Sequence, residues 1–175
     1  MLRQIPILLF LLFFSHFLLA QSLKPGFDKE EYRQLMLVSV RTTASIKYAK
    51  KFAEPKFKLI YRSPVIGLDN LWDLWINDQG IAVIRFRGTT QKSTSWLANF
   101  YAAMLPANGR LILNEKDTFS YSLAAHPRAA VHAGWLLCMA GLARDIRPKI
   151  DSLYQKGIRN FLIMGHSQGG GIAYL

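Results

Sequence analysis

The stretch Phe161-Leu162-Ile163-Met164-Gly165-His166-Ser167-Gln168-Gly169-Gly170-Gly171 limits what this chain can fold into more than any other part of it. A short apolar run leads into Gly-x-Ser-x-Gly and then into further glycine. The pattern predicts a buried strand that stops, turns sharply and becomes a helix, with the serine hydroxyl exposed at the apex. A side chain at Gly165 or Gly169 would collide with the neighbouring strand or helix. Ser167 is expected in a strained backbone conformation that only its surroundings enforce. The helix expected from Gln168 directs its unpaired N–H groups at the site, where they stabilise developing negative charge. Gly-x-Ser-x-Gly alone is also compatible with a glycine-rich turn; the apolar run before it and Gly170-Gly171 after it favour the elbow.

At 175 residues, half of them apolar, the chain is long enough for one modest domain with a real core. A single cysteine, Cys138, excludes an internal disulfide and reads as a buried structural thiol. The formal net charge is +11. Nucleic-acid binding is one reading of such a charge, but most basic residues are scattered singly (Arg33, Arg41, Arg62, Arg85, Arg110, Arg128), which argues against it. Lys47, Lys50 and Lys51 read as one solvated helix face. Two readings stay open for the excess charge: attraction to an anionic surface such as a lipid headgroup layer, and plain solubility.

The N-terminus reads as a targeting segment. Met1-Leu2-Arg3-Gln4 gives a short positive start, Ile7 to Leu19 is almost purely Ile, Leu and Phe, and Ala20-Gln21-Ser22 supplies a cleavage region. The apolar run is shorter than the ~20 residues that span a bilayer, so a cleaved secretory leader over residues 1–20 is favoured over an uncleaved anchor. The remainder, residues 21–175, is then expected in a secreted or periplasmic setting.

After Pro25-Gly26, Asp28 and Glu31 form a capping-box-like start, and one helix is predicted from Asp28 to Phe52. Strands are predicted over Phe57–Tyr61, Leu71–Ile76 and Ile81–Phe86, the last two joined by the Asn77-Asp78-Gln79-Gly80 turn. Ile84-Arg85-Phe86-Arg87-Gly88-Thr89 then resembles the Phe-Arg-Gly-Thr/Ser segment of the class 3 lipases, the group that includes the fungal triacylglycerol lipases. That resemblance implies an α/β-hydrolase fold and makes Thr89 an oxyanion-hole residue beside the backbone N–H of Gln168. Independently of the family, an N–H at a strand end, next to a glycine that admits close approach, is a suitable oxyanion donor, and the threonine hydroxyl adds a second hydrogen bond.

Ser93 to Leu105 is an amphipathic segment led by capping residues. The resemblance makes it a lid or acyl-pocket wall with Trp96 facing substrate; a small core helix is the other reading. Residues 106–130 read as loops with one short strand at Leu111–Leu113. Val131-His132-Ala133-Gly134-Trp135 is similar to another family segment, Val-His-x-Gly-Phe, and precedes a helix over about 135–155 that Pro148 kinks or splits. His132 is not taken as the base, because this fold places nucleophile, acid and histidine in that order along the chain. His166, inside the elbow, is a neighbour of the nucleophile and is grouped with Trp96 at the substrate.

These readings combine into an exported serine lipase or carboxylesterase of α/β class. Ser167 attacks an ester carbonyl and Thr89 and Gln168 hold the oxyanion, with no metal or other cofactor. The substrate is a lipid or other ester at a lipid–water interface, and nucleic acid is not a partner. The triad aspartate and histidine are expected beyond Leu175, so the chain reads as the N-terminal part of a hydrolase cut after the elbow, incomplete as a catalyst alone. A non-catalytic exported binding protein on the same fold, and a membrane-anchored interaction protein, are the rival readings.

Overall fold

Asp28 opens the first helix: its carboxylate accepts from the Glu31 N–H at 2.8 Å, and α1 follows over Lys29–Thr43. The computed structural model describes residue 23 and residues 25–175, so the expected leader over residues 1–20 and its cleavage region lie outside the described residues. No helix among the described residues is long and apolar enough to cross a membrane.

The single helix expected to reach Phe52 is instead broken. The Thr42 and Thr43 hydroxyls donate back to the carbonyls of Val38 and Ser39. Ala44 is extended. Ser45 restarts the chain as the N-cap of one turn, α2 (Ile46–Ala49), its Oγ accepting from the Tyr48 N–H at 3.3 Å. Short hydroxyl side chains near a helix end compete for backbone groups, a signal that apolar spacing does not carry.

Three strands form an antiparallel meander: β1 (Phe57–Arg62), β2 (Trp72–Asn77) and β3 (Ile81–Phe86). The expected turn closes the β2–β3 hairpin, Asn77 Oδ1 accepting from the Gln79 and Ile81 N–H groups at 3.1 and 2.8 Å. Every side chain of β3 is buried, and its apolar run reflects cover on both faces of the sheet.

The chain then forms α3 (Ser93–Phe100), β4 (Met104–Pro106), β5 (Asn108–Asn114), β6 (Asp117–Ser122), β7 (Ala130–His132), α4 (Ala133–Gln155), β8 (Asn160–Gly165) and α5 (Gln168–Tyr174). Between 106 and 130 the expected loops are corrected to a hairpin of β5 and β6. Asn108-Gly109 is the start of β5. The turn lies at Asn114, whose Oδ1 accepts from the Lys116 N–H at 2.9 Å. The short strand expected at Leu111–Leu113 lies inside β5, which is longer; β6 went unread because its polar residues alternate with only half-buried Phe119 and Tyr121. Pro148 does not split α4. Ile146 and Leu153 hold the helix in the core on either side of it, and that packing outweighs the ~3 kcal/mol an interior proline costs.

β8 pairs parallel to β3, from Ile81 opposite Asn160 to Phe86 opposite Gly165, giving the sheet order β1-β2-β3-β8. Cys138, Leu142 and Ile146 of α4 pack with Trp72, Leu74, Ala82, Ile84 and Phe86 on one face. Val38 of α1 packs with Phe57, Trp75, Ile81 and Val83 on the other. This is an α/β arrangement with helices on both faces of the sheet. No described strand pairs with the outer side of β8. Beside it, an apolar cavity of about 340 Å³ is lined by Ile84, Phe86, Ile146, Ile150 and Ile163, and Ile163 is 57% exposed.

One buried ionic group ties the meander together. Arg62, Asp73 and Arg85 lie opposite one another on β1, β2 and β3. The fully buried Asp73 accepts from Arg62 Nε at 2.5 Å and from the Arg85 guanidinium at 3.0 Å. Burial pushes the Arg85 pKa down from its ordinary value, and Asp73 opposes that shift. Asp73→Asn keeps the shape but removes the compensating charge, and is expected to cost about 2 kcal/mol in a denaturant melt.

Candidate active site

The turn between β8 and α5 is set by backbone sterics. A Cβ on Gly165 would stand 2.1 Å from the Gly169 carbonyl oxygen, and one on Gly169 would stand 2.5 Å from that of Phe86. With neither present, β8 stops and α5 starts within two residues. Ser167 between them has φ 55° and ψ −128°, a conformation that costs an L-residue about 1–3 kcal/mol. The Gly170 and Gly171 N–H groups hold the turn by donating to the Ser167 carbonyl at 2.9 and 3.2 Å. Ser167 and His166 are both exposed.

The parallel register of β3 and β8 brings a second loop to this point. Phe86 lies opposite Gly165, so Arg87-Gly88-Thr89 leaves the sheet beside the elbow. A Cβ on Gly88 would be 2.6 Å from the His166 carbonyl oxygen and 3.5 Å from Ser167 Cβ. The Thr89 loop therefore runs in contact with the serine turn. Thr89 Oγ1 accepts from Asn99 Nδ2 at 2.9 Å, and Asn99 Oδ1 accepts from Trp135 Nε1 at 3.2 Å. Because Asn99 occupies a lone pair of that hydroxyl, the Thr89 O–H proton stays available to another acceptor. Gln168 is the first residue of α5, where a backbone N–H has no partner within its own helix.

The Gln168 side chain is buried. Its Oε1 accepts from Ser95 Oγ–H at 3.2 Å, and Ser95 Oγ accepts in turn from the Thr90 N–H at 3.1 Å. Its Nε2 lies 3.8 Å from Cys138 Sγ. Burial pushes the Cys138 thiol pKa up, which keeps the sulfur in its unreactive form.

The Thr89 loop is fixed from below by Asp69, which is buried and has φ 59°. Its carboxylate accepts from Lys92 Nζ at 2.8 Å, Thr90 Oγ1 at 2.6 Å and the Arg87 guanidinium at 3.1 Å. The Lys92 and Thr90 bonds, and the Arg87 charge, hold the Asp69 pKa below the ordinary carboxylate range against the opposing effect of burial.

On α3 only Ser95 and Ala98 are buried. Trp96, Leu97 and Phe100 are exposed, and the Trp96 and Phe100 rings stack at 5.9 Å. The expected cap is absent: Lys92 holds the N-cap position without a side-chain bond, because Ser95 is turned inward to Thr90 and Gln168. His132 caps α4, Nδ1 accepting from the Trp135 N–H at 3.3 Å while its ring stacks on Trp135 at 4.4 Å. A Cβ on Gly134 would stand 1.9 Å from the Ala98 carbonyl oxygen, so this glycine is where α4 packs against the backbone of α3.

The sequence pattern of lipase (class 3) matches residues 83–175, from the middle of β3 through the elbow. The chain belongs to the class 3 lipase family. Solved structures agree with the fold of this class 3 lipase family member. A fungal lipase in an inhibitor complex, described as a model for interfacial activation, matches with TM-score 0.59 and 16% identity over 82% of this chain and 51% of its own. Rhizomucor miehei triacylglyceride lipase matches with TM-score 0.56 and 16% identity over 84% and 54%. A triacylglycerol lipase whose catalytic centre is formed by a serine protease triad matches with TM-score 0.51 and 17% identity over 84% and 54%. At these identities the likeness is one of fold, and the chain spans about half the length of these solved lipases. No curated protein matches it.

Of the residues singled out from the family motifs, the structure gathers Ser167, His166, Gln168 and the Thr89 loop into one place, and sets Trp96 on the outward face of α3. Sequence reasoning missed Asp69, Ser95 and Asn99. Ser95 and Asn99 carried a usable signal: they stand four residues apart and form one polar stripe beside that of Trp96 and Phe100. Asp69 carried none, since its partners are 18 to 23 residues away in sequence.

Proposed function

We propose that this class 3 lipase chain supplies the nucleophile and the oxyanion hole of an exported serine ester hydrolase. The observation that carries the reading is the exposed, strained Ser167 held against the Gly88-Thr89 loop. Ser167 Oγ adds to the ester carbonyl carbon, and its proton passes to a histidine base of the whole protein. The carbonyl oxygen becomes an oxyanion that accepts from the Thr89 and Gln168 backbone N–H groups and the Thr89 hydroxyl. The C–O bond to the alcohol breaks, the alcohol leaves with the proton, and an acyl-serine remains until water hydrolyses it.

The substrate class is a carboxylic ester of lipid type, triacylglycerol or phospholipid, and the exposed apolar face of α3 with Trp96 supports that choice. Export rests on the leader-like N-terminus. The whole protein is expected to form a covalent adduct with a fluorophosphonate at Ser167, located by peptide mass spectrometry, and Ser167→Ala should abolish it. Absence of an adduct, or an adduct that survives Ser167→Ala, defeats the hydrolase reading and favours a non-catalytic scaffold on this fold.

A further inference from the structure

The corner formed by α2 and the turn after it carries a one-sided surface far from the family motifs in sequence. Residues 44–53 hold three lysines and no carboxylate. Ala49 is the buried residue of this turn. Around it Lys47, Lys50 and Lys51 are exposed, together with Ile46 at 79%, Tyr48 at 51% and Phe52 at 39%. The neighbouring basic groups have carboxylate partners: Lys56 shares Glu30 with Arg33, and Lys58 pairs with Asp78. Glu54, the one nearby carboxylate, lies 3.0 Å from Arg41 Nε. Among the described residues no ion pair engages Lys47, Lys50 or Lys51.

The corner is also fixed in shape. The Arg41 guanidinium donates to the carbonyls of Ala49, Phe52 and Ala53 at 2.9, 2.8 and 3.0 Å. The backbone is thus ordered before any partner arrives, which lowers the cost of binding. Tyr48 packs against Phe52 at 5.2 Å, and Lys51 Nζ sits 5.7 Å from the Tyr48 ring.

We propose that this corner docks the chain on an anionic lipid surface. Lys47, Lys50 and Lys51 lie at the level of the headgroup phosphates, and Ile46, Tyr48 and Phe52 enter the boundary with the acyl chains. Single-stranded nucleic acid would also satisfy three lysines, but it is held in addition through free aromatic faces on which bases stack; duplex backbone would engage the lysines alone and leave Ile46 and Phe52 in water. Here the Tyr48 ring is shared between Phe52 and Lys51, and Ile46 gains only by leaving water for an apolar phase. The proposal does not depend on Ser167 being a nucleophile.

The test is sedimentation of the full chain with phosphatidylcholine vesicles, with and without about one-third phosphatidylserine. Binding should favour the anionic vesicles and weaken as salt is raised. Each lysine at such a surface contributes about fivefold, so Lys47→Glu, Lys50→Glu and Lys51→Glu together should weaken it on the order of 100-fold or more. The N-terminal apolar run with Arg3 is the same in the parent and in every variant, so differences between variants report on the corner. Ile46→Ser should lower the part of the binding that resists salt. The same change of charge at Arg110, Lys116 and Arg128 should leave most of the anionic preference in place. If the corner triple melts at a lower temperature than the parent, the Lys→Gln triple replaces it. Equal loss in both triples, unchanged binding by the corner triple, or binding of single-stranded RNA with no preference for anionic vesicles each overturns the proposal.

Discussion

Gly165→Ala is expected to dismantle the elbow. The new methyl carbon would stand 2.1 Å from the Gly169 carbonyl oxygen and 2.2 Å from its carbon, both main-chain atoms. Neither can move without shifting the start of α5, and Gly169 is itself pressed against the end of β3 with no room to retreat. Overpacking of a yielding core costs about 1–3 kcal/mol; against backbone the cost should be at least about 3 kcal/mol by denaturant melting. The effect on chemistry is separable, since a displacement of about 1 Å at a reacting group costs about 100-fold. Fluorophosphonate labelling of Ser167 should slow by at least that factor in whatever fraction remains folded. Labelling at the parental rate in folded protein would mean that the tight turn is not what positions the serine.

Asp69→Ala is the second large effect. It leaves the Arg87 and Lys92 charges and the Thr90 hydroxyl without their shared acceptor. Removing one partner of a buried ionic group costs about 3–5 kcal/mol; because Lys92 is largely exposed and keeps its hydration, the lower end is expected. The pH dependence carries an independent signature. The folded-state pKa of Asp69 is depressed, so its stabilisation is fully present above the ordinary aspartate value of about 3.9 and is lost as pH falls through the lower folded value. Stability of the parent should therefore decline below about pH 4, and Asp69→Asn should flatten that part of the acid limb. An unchanged limb in Asp69→Asn would assign the acid sensitivity elsewhere, the exposed Glu30 with its pKa lowered to about 2 by Arg33 being the next group to examine.

The contrast between these two sites explains what could be read in the sequence. Gly165 acts on atoms four residues away, so its requirement is written into the local pattern, and the strained serine follows from the same pattern. The meeting of the Thr89 loop with the elbow was legible only as what the family resemblance implies; the parallel pairing of β3 and β8 is what brings it about. Asp69 could not be read. Its value lies in a left-handed turn that aims one carboxylate at a loop beyond two intervening strands, and nothing near residue 69 encodes that aim. The break at Ala44-Ser45 and the extent of the β5–β6 hairpin beyond Leu111–Leu113 were not legible for a different reason. In both, hydroxyl and amide side chains make local bonds that override periodicity, and the apolar residues of the hairpin are only half-buried. The family resemblance pointed to the serine and threonine positions; the bonds through Asp69, Ser95 and Asn99 that hold them needed coordinates.

The outer side of β8 has a consequence for the chain as a material. Among the described residues no strand adds to the outer side of β8, and with Ile163 exposed and an apolar hollow next to it that side is a template on which another extended segment can add. Two copies meeting there would gain main-chain bonds and apolar burial at once. The colloidal behaviour of this chain in dilute buffer should thus be governed by one strand rather than by its net charge of +11. The apparent mass from light scattering should rise with concentration even at low ionic strength, where charge repulsion is strongest, and Ile163→Lys should suppress that rise.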